Sequence, residues 1–249
     1  MGKVLEICVD SLVSARAAIQ GGADRLELCS ALPVGGLTPY TALLRQIRRA
    51  SDIPVRCLMR HRSGDFLYAP EETELLCMQI AELRQAGADG FVIGCLTPDG
   101  KLDKSSMKQL ISACGSSGIT LHRCIDVSSD PCRTYLDAME LGIDTVLTSG
   151  AASCCLNGTE VIKQLISLRD LHSGPEVLIG AGVNAAVITR FRTEIPQACA
   201  FHMSGKKDIP SGMVFRREGV PMGLPGLDEW HIQHTDIQAV TAAHDALYQ

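Results

Sequence analysis

Four ionisable side chains lie at the polar positions of short segments in which apolar and polar residues alternate, as they do in β-strands. They are Glu6 in LEICV, Glu27 in RLEL, His122 in ITLH and His202 in FHM. Because one face of each strand must pack against helices, the other face turns these groups toward the interior. Buried carboxylates and imidazoles are costly unless they are paired or bind a ligand. We therefore expect His122 to be a general acid or base, with Glu27 or Glu6 as its partner or as a ligand of a hard divalent cation.

Two arginines and an aspartate follow the third apolar segment. Arg60 stands at its end, and Arg62 and Asp65 lie in the loop beyond it. Guanidinium groups bind carboxylates and phosphates bidentately. The spacing predicts that Arg60 and Arg62 hold a small anionic or phosphorylated substrate, with Asp65 beside them in the catalytic group. One alternative stays open, an internal salt-bridge network of Glu6, Glu27, Arg56 and Arg60.

Two glycine-containing turns near the C-terminus have the composition of a phosphate site. IGAGVN, at 179–184, follows a predicted strand and contains Gly180 and Gly182, and HMSGKK brings Ser204 to the end of the next strand. Backbone amides at such turns can hold a phosphate, and half of such patterns are only tight turns. With Glu6 and His202, these residues form the predicted substrate-binding set.

A repeated pattern indicates the fold that positions these residues. GGADRLELC, AGADGFVIGC and LGIDTVLTSG begin at residues 21, 86 and 141. Each joins the end of a helical stretch to a strand through Gly-x-Asp, where glycine can take the left-handed conformation that ends a helix and aspartate favours a turn. A βα repeat over 249 residues predicts one α/β domain spanning 1–249, a closed (β/α)₈ TIM barrel.

Hydrophobic periodicity gives eight strands and eight helices. Strands are predicted near Leu5–Val9, Arg25–Leu28, Val55–Met59, Gly90–Gly94, Ile119–His122, Thr145–Leu147, Val177–Ile179 and Ala200–Met203. Helices are predicted at Ser11–Gln20, Tyr40–Ala50, Glu71–Ala86, Lys104–Cys114, Pro131–Leu141, Gly158–Leu171, Ala185–Arg192 and Asp236–Tyr248. Asp103 and Asp130 are predicted N-caps. Gly205–Thr235 is the one irregular stretch, and its length suggests a functional lid.

Composition excludes several classes of protein. The net charge is −5 with no basic run, which argues against nucleic-acid binding. No apolar stretch reaches the length of a membrane span, and no signal peptide is recognisable. The eleven cysteines are scattered in apolar segments without a C-x-x-C pair, which is typical of reduced thiols. We expect a cytoplasmic protein that forms a homo-oligomer or a monomer.

The motifs resemble those of the CutC family. The matching stretches are LEICVDS, GGADRLELCS, GGLTP, GDFLY, LHRCID, VLTSG and GAGV, with SGMVFRREGVPMG and TDIQAV near the C-terminus. The resemblance covers nearly the whole chain. It implies a cytoplasmic TIM barrel linked to copper handling, and it adds three motif residues to the candidate site: Asp126 to the catalytic set, and Arg123 and Ser149 to the substrate-binding set.

The resemblance also implies a Cu(I) site at Cys8 and Cys29, the cysteines of LEIC and LELC. Soft thiolates select Cu(I). The alternative that both thiols are small residues filling the barrel stays open. Three functions therefore remain: a copper-handling protein, an enzyme acting on a small anionic or phosphorylated compound, and an interaction scaffold, which no sequence feature supports.

Overall fold

The strands of the structure, a computed structural model, form the predicted closed barrel. The description covers residues 2–217, 219–223, 226 and 228–249. The barrel strands are β1 Val4–Val9, β2 Arg25–Leu28, β3 Val55–Leu58, β4 Gly90–Ile93, β5 Gly118–Leu121, β6 Thr145–Thr148, β7 Glu176–Ile179 and β8 Ala200–Met203. All neighbours pair in parallel, and β1 pairs with β8 to close the ring.

Helices cover the outside of the barrel and follow the strands in alternation. They are α1 Leu12–Gln20, α2 Thr41–Ala50, α3 Pro70–Gln85, α4 Lys104–Cys114, α5 Pro131–Glu140, α6 Thr159–His172, α7 Ala185–Glu194 and α8 Ile237–Tyr248. The predicted caps are confirmed, because the side chains of Asp103 and Asp130 accept hydrogen bonds from backbone amides of α4 and α5. Among the described residues, no helix is long and apolar enough to cross a membrane.

The Gly-x-Asp repeat has a defined role at the N-terminal end of the barrel. Its glycines Gly22, Gly87 and Gly142 all take positive φ, as predicted. The aspartates that follow them do more than form a turn. The carboxylates of Asp24, Asp89 and Asp144 accept the amides of Leu5, Val55 and Ile119 at 2.7, 2.7 and 2.5 Å. Each repeat thus ties its turn to the beginning of the preceding strand.

Strand alternation divides the apolar residues into an outer core and a barrel interior. The outer core contains the predicted helix-facing residues, such as Leu5, Ile7 and Leu26. Inside the barrel, two small apolar groups remain separate from that core. One contains Cys29, Leu58 and Val92, and the other contains Leu147, Leu178 and Ala200. Other inward positions carry polar side chains, and those at the C-terminal ends of the strands form the candidate site.

The stretch 205–235 differs from the irregular connection predicted for it. It begins with strand β9, Lys206–Pro210, and ends with strand β10, His231–Thr235, which pair antiparallel. The amide of Thr235 donates to the hydroxyl of Ser14, which joins this hairpin to α1. The predicted lid function stays a prediction. Residues 218, 224, 225 and 227 lie outside the described residues.

Candidate functional site

A cavity of about 450 Å³ opens where the barrel strands end at their C-terminal side. Predicted site residues from six strands and the loops that follow them line it, namely Cys8, Glu27, Cys29, Arg60, His122, Arg123, Gly182, His202 and Ser204. This volume suits a small-molecule ligand. The barrel mouth is therefore open, and the predicted residues are not collapsed on one another.

One side of the cavity, here the carboxylate side, is lined by Cys8, Glu27 and His202, with the fully buried Glu6 behind His202. Cys8 is the register partner of Glu27, and Glu6 is the register partner of His202. One possible ligand atom from each of Cys8, Glu27 and His202 lies within 4.8 Å of the others. Adjacent strands of a closed parallel barrel thus bring together residues that are far apart in sequence.

Glu6 anchors the carboxylate side through two cationic partners. Arg25 Nε donates to its Oε2 at 2.5 Å, and His202 Nδ1 lies 2.7 Å from its Oε1. Burial raises the pKa of Glu6, but Arg25 and His202 outweigh burial and lower that pKa to about 2. Glu6 is therefore a buried anion, compensated on both oxygens.

His202 contacts both predicted glutamates. Its Nε2 lies 3.8 Å from Glu27 Oε2. Burial opposes the charged imidazole, yet the charges of Glu27 and Cys8 and hydrogen bonds with Cys8 and Glu6 raise the pKa of His202 well above its ordinary value. Burial raises the pKa of Glu27 to about 7, against the lowering effect of His202.

Cys29 lies on the cavity wall with its thiol turned to the backbone. Its Sγ donates to the Val9 carbonyl at 3.5 Å. Burial, reinforced by the neighbouring Cys8, raises the pKa of the Cys29 thiol well above its ordinary value. Cys29 is therefore protonated in this arrangement, and it is not part of the three-residue cluster of Cys8, Glu27 and His202.

The opposite side of the cavity, here the arginine side, consists of Arg60, Phe66 and His122. The Arg60 side chain spreads over carbonyl oxygens: Nη1 donates to Val34 and Gly36 at 3.0 and 3.2 Å, and Nη2 donates to Gly64 at 2.9 Å. Its guanidinium carbon lies 5.3 Å from the Phe66 ring centre. Among the described residues, no carboxylate pairs with this buried cation.

His122 is buried and neutral. The Cys124 amide donates to its Nδ1 at 3.2 Å, which leaves the proton on Nε2. Burial and the positive charge of Arg60 lower the pKa of His122 to about 3. Within the described part of the chain it pairs with no carboxylate, so the structure differs from the predicted pairing with Glu27 or Glu6. His202 occupies that position because β8 is adjacent to β1, whereas β5 lies across the barrel.

Gly94 makes room for this histidine. A Cβ at Gly94 would lie 2.5 Å from His122 Cε1 and 2.5 Å from Cys124 Sγ. The second repeat copy therefore contributes space to the cavity and no charge. His122 also lies 4.7 Å from Phe66, centre to centre, and so Phe66 contacts both polar members of the arginine side.

Arg62 and Asp65 lie outside the cavity, unlike the prediction that they join Arg60 in an anion clamp. Arg62 Nη1 pairs with Asp65 at 3.0 Å, and its Nε pairs with Glu72 at 2.7 Å. The side chain of Asp65 is 70% exposed. The chain turns away from the barrel after Arg60, so these charges neutralise one another at the surface.

Asp126 organises the loop at the cavity rim. It accepts the amides of Ser149 and Ala151 and the hydroxyl of Thr148. Arg123 Nε donates to Asp126 at 2.7 Å, and Arg123 Nη2 donates to the Ser149 hydroxyl at 2.7 Å. Arg123 lines the cavity, while Asp126 and Ser149 lie behind it and hold Arg123 in place.

The two glycines of the predicted phosphate turn have different roles. Gly182 lines the cavity with φ +81°, next to Ala181 at φ +69°. Gly180 instead provides clearance, since a Cβ there would lie 2.7 Å from Leu147 Cδ1 and 3.7 Å from His202 Cβ. Ser204 lines the cavity at the end of β8.

The alternative salt-bridge network does not form as stated. Arg56 turns to the N-terminal end of the barrel, where Nη1 pairs with Asp144 at 2.7 Å and donates to Thr120 at 2.6 Å. Gly90 and Gly118 provide the space for it. Glu6 pairs with Arg25, and Arg60 binds carbonyl groups.

Sequence reasoning missed three residues that matter to the site. Arg25 lies on the inward-facing side of β2, as Glu27 does, and the alternation of the strand could have identified it as a site residue. Phe66 belongs to GDFLY, but nothing local predicts its place between Arg60 and His122. Gly94 could be found only by knowing which side chain β5 presents beside it.

Comparisons with known proteins agree with the fold and the motifs. A family model described as the CutC family matches residues 3–206. The human copper homeostasis protein cutC homolog is 38% identical over 240 residues, covering 96% of this chain and 87% of the relative. A family protein CutC from Xylella fastidiosa strain Temecula1 is 43% identical over 205 residues, covering 82% of this chain and 76% of the relative. The CutC structure from Streptococcus agalactiae superposes with a TM-score of 0.75 at 24% identity, covering 81% of this chain and 98% of that chain.

Proposed function

The chain belongs to the CutC family, and on that premise we propose that it acts in copper homeostasis by binding one Cu(I) ion on the carboxylate side of the cavity. The proposed ligands are Cys8, Cys29 and His202. The human and mouse relatives carry the copper homeostasis name. The residues of this chain supply the chemical reason to expect the same ion.

The convergence of Cys8, Glu27 and His202 carries the proposal. Their ligand atoms lie within 4.8 Å of one another. Thiolate suits Cu(I), and imidazole suits copper and zinc. Glu6 holds His202 Nδ1 at 2.7 Å, the outer-shell carboxylate–histidine contact typical of metal sites. This contact leaves Nε2 as the nitrogen that turns to Glu27 and would bind the ion.

Cys29 supplies the second thiolate of the proposal. It lines the same cavity as Cys8, and its proximity to Cys8 contributes to its raised thiol pKa. A metal ion removes that penalty, because coordination favours the thiolate and releases the proton. The same donors would accept Zn²⁺, and the carboxylate of Glu27 makes this the main competing ion.

A reducing compartment fits this assignment. All eleven cysteines are free thiols in the structure, seven of them buried. Thiolate ligands stay available only where disulfides do not form. We therefore propose a cytoplasmic location for the protein.

A competition titration tests the proposal. Reduced protein is titrated with Cu(I) without oxygen against a chromophoric chelator. We expect one ion per chain for the wild type and none for the Cys8→Ser, Cys29→Ser double variant. His202→Gln should weaken binding by about tenfold or more.

Cys57→Ser is the matched control. Cys57 is also a buried strand cysteine, but it packs in the outer core. It should retain one Cu(I), and circular dichroism should show that every variant is folded. Unchanged stoichiometry in the double variant contradicts the proposed ligands.

A further inference from the structure

The arginine side contains a buried charge that the chain itself does not neutralise. Arg60 is 8% exposed. Its neighbours on the barrel, Arg25 and Arg56, are paired with Glu6 and Asp144. Within the described residues, Arg60 meets only carbonyl oxygens and an aromatic ring. A buried cation without an anion is costly, so a structure that keeps one has a place for a negative group.

Two donors point to where that group binds. Arg60 Nε and His122 Nε2 are both buried atoms with no hydrogen-bond partner among the described residues. His122 is 4% exposed, and its Nε2 carries the proton because the Cys124 amide donates to Nδ1. Buried polar groups are almost always satisfied. Both free positions are N–H donors on cavity-lining residues, and both lack an acceptor in the described part of the chain.

We propose that Arg60 Nε–H and His122 Nε2–H form an anion-binding subsite, which takes the carboxylate or phosphate group of a small organic anion. The site is built: Phe66 lies 5.3 Å from the Arg60 guanidinium carbon and 4.7 Å from the His122 ring centre, and it fixes both. Arg60 cannot swing away, because three carbonyl groups hold its two Nη atoms.

The charges around the cavity orient the ligand. In its charged form Glu27 offsets the positive charge of His202 on the carboxylate side, so that side attracts an anion less than the unpaired Arg60 does. Arg123 and Lys206 line the rim, and cations at the entrance raise the local concentration of anions. The neutral part of the ligand would therefore extend toward Cys8, Glu27 and His202. A volume of about 450 Å³ limits it to a small molecule.

This subsite differs from the clamp of Arg60 and Arg62 that the sequence suggested. Arg62 forms ion pairs with Asp65 and Glu72 at the surface. His122 replaces it as the second donor. It contributes a hydrogen bond without a charge, so Arg60 supplies the positive charge of the subsite itself.

Thermal-shift titrations of the full chain test the proposal. The probes are inorganic phosphate, glycerol 3-phosphate and glycolate, at constant ionic strength against sodium chloride, with a chelator present to remove metals. At least one probe should stabilise the wild type saturably. A response to phosphate and glycerol 3-phosphate assigns a phosphate ligand, and a response to glycolate alone assigns a carboxylate.

Variants localise the response. Arg60→Lys keeps the charge but loses the Nε–H, and it should weaken the apparent affinity about tenfold or more. His122→Gln should weaken it to a similar extent, and it provides the test if Arg60→Lys does not fold. The matched control is Arg62→Gln, which should bind like the wild type. The proposal is overturned if no probe stabilises the protein beyond sodium chloride, or if Arg62→Gln loses binding as strongly as the other two variants.

Discussion

The two sides of the cavity differ in how their buried charges are compensated. On the carboxylate side, Glu6 is compensated by Arg25 and His202, and His202 also faces Glu27. On the arginine side, Arg60 and His122 have donors with no acceptor among the described residues. The charges of the first side are compensated within the chain, and the charge of the second side is not. Similar residue types in one cavity thus differ because neighbouring strands supply counter-ions to one side only.

The largest expected effect on the free energy of unfolding comes from a substitution on the carboxylate side. Glu6→Gln removes the anion between Arg25 and His202 and leaves two cations buried together. Removing one partner of a buried ion pair costs about 3–5 kcal/mol. Urea unfolding monitored by circular dichroism measures this. The control Glu194→Gln, which breaks a surface pair with Arg190, should change the free energy of unfolding very little. A Glu6→Gln variant as stable as wild type would mean that the network is not compensating these charges.

A smaller effect is expected from a substitution that reduces the space around His122 on the arginine side and leaves every charge in place. Gly94→Ala places a Cβ 2.5 Å from His122 Cε1 and from Cys124 Sγ, so the histidine must shift. We expect a cost of about 1–3 kcal/mol, typical of overpacking, and weaker binding of the anion probe.

Gly142→Ala is the control for Gly94→Ala. Gly142 has φ +77°, and a Cβ added there would have no described atom within 4 Å, so alanine adds backbone strain alone. That strain costs about 1 kcal/mol. Its anion binding should be unchanged. Equal binding by both alanine variants would show that the position of His122 does not matter.

The smallest effect, counted for each pH unit, is a change in how the free energy of unfolding depends on pH. The pKa of His122 is lowered to about 3 in the folded state, from an ordinary value of 6.5. Between these values the unfolded chain binds the proton and the folded chain does not, so stability falls as the pH falls from about 6.5 to 3. His122→Gln should remove up to about 1.4 kcal/mol per pH unit of that loss. Unfolding titrations from pH 7 to pH 4 measure it, with exposed His172→Gln as the control. Parallel profiles for His122→Gln and wild type would contradict the neutral, buried state of His122.

Local sequence patterns predicted the barrel well because the strands and helix ends depend on residues that are close together in the sequence. Strand alternation places Leu5 and Ile7 outward and Glu6 and Cys8 inward, and the Gly-x-Asp repeat marks the ends of α1, α3 and α5. The contacts within the site depend on residues that are far apart in the sequence. Whether His122 or His202 meets Glu6 depends on β8 closing against β1, which follows from the ring and not from either segment.

The loop residues show the limit of motif reasoning. Arg60 and Arg62 are two positions apart and equivalent by composition, yet one is buried in the cavity and the other is paired at the surface. Loop geometry decides between them, because the carbonyl groups of Val34, Gly36 and Gly64 position Arg60. Asp126 likewise lies behind the cavity, where it accepts loop amides.

A paired binding measurement on two variants tests the division of the cavity most directly. Cu(I) stoichiometry and stabilisation by the anion probe are measured on the wild type, on Cys8→Ser and on Arg60→Lys. The two-sided cavity predicts that Cys8→Ser loses Cu(I) and keeps the anion, while Arg60→Lys loses the anion and keeps Cu(I). Loss of both ligands in either variant, or of neither in both, would contradict it.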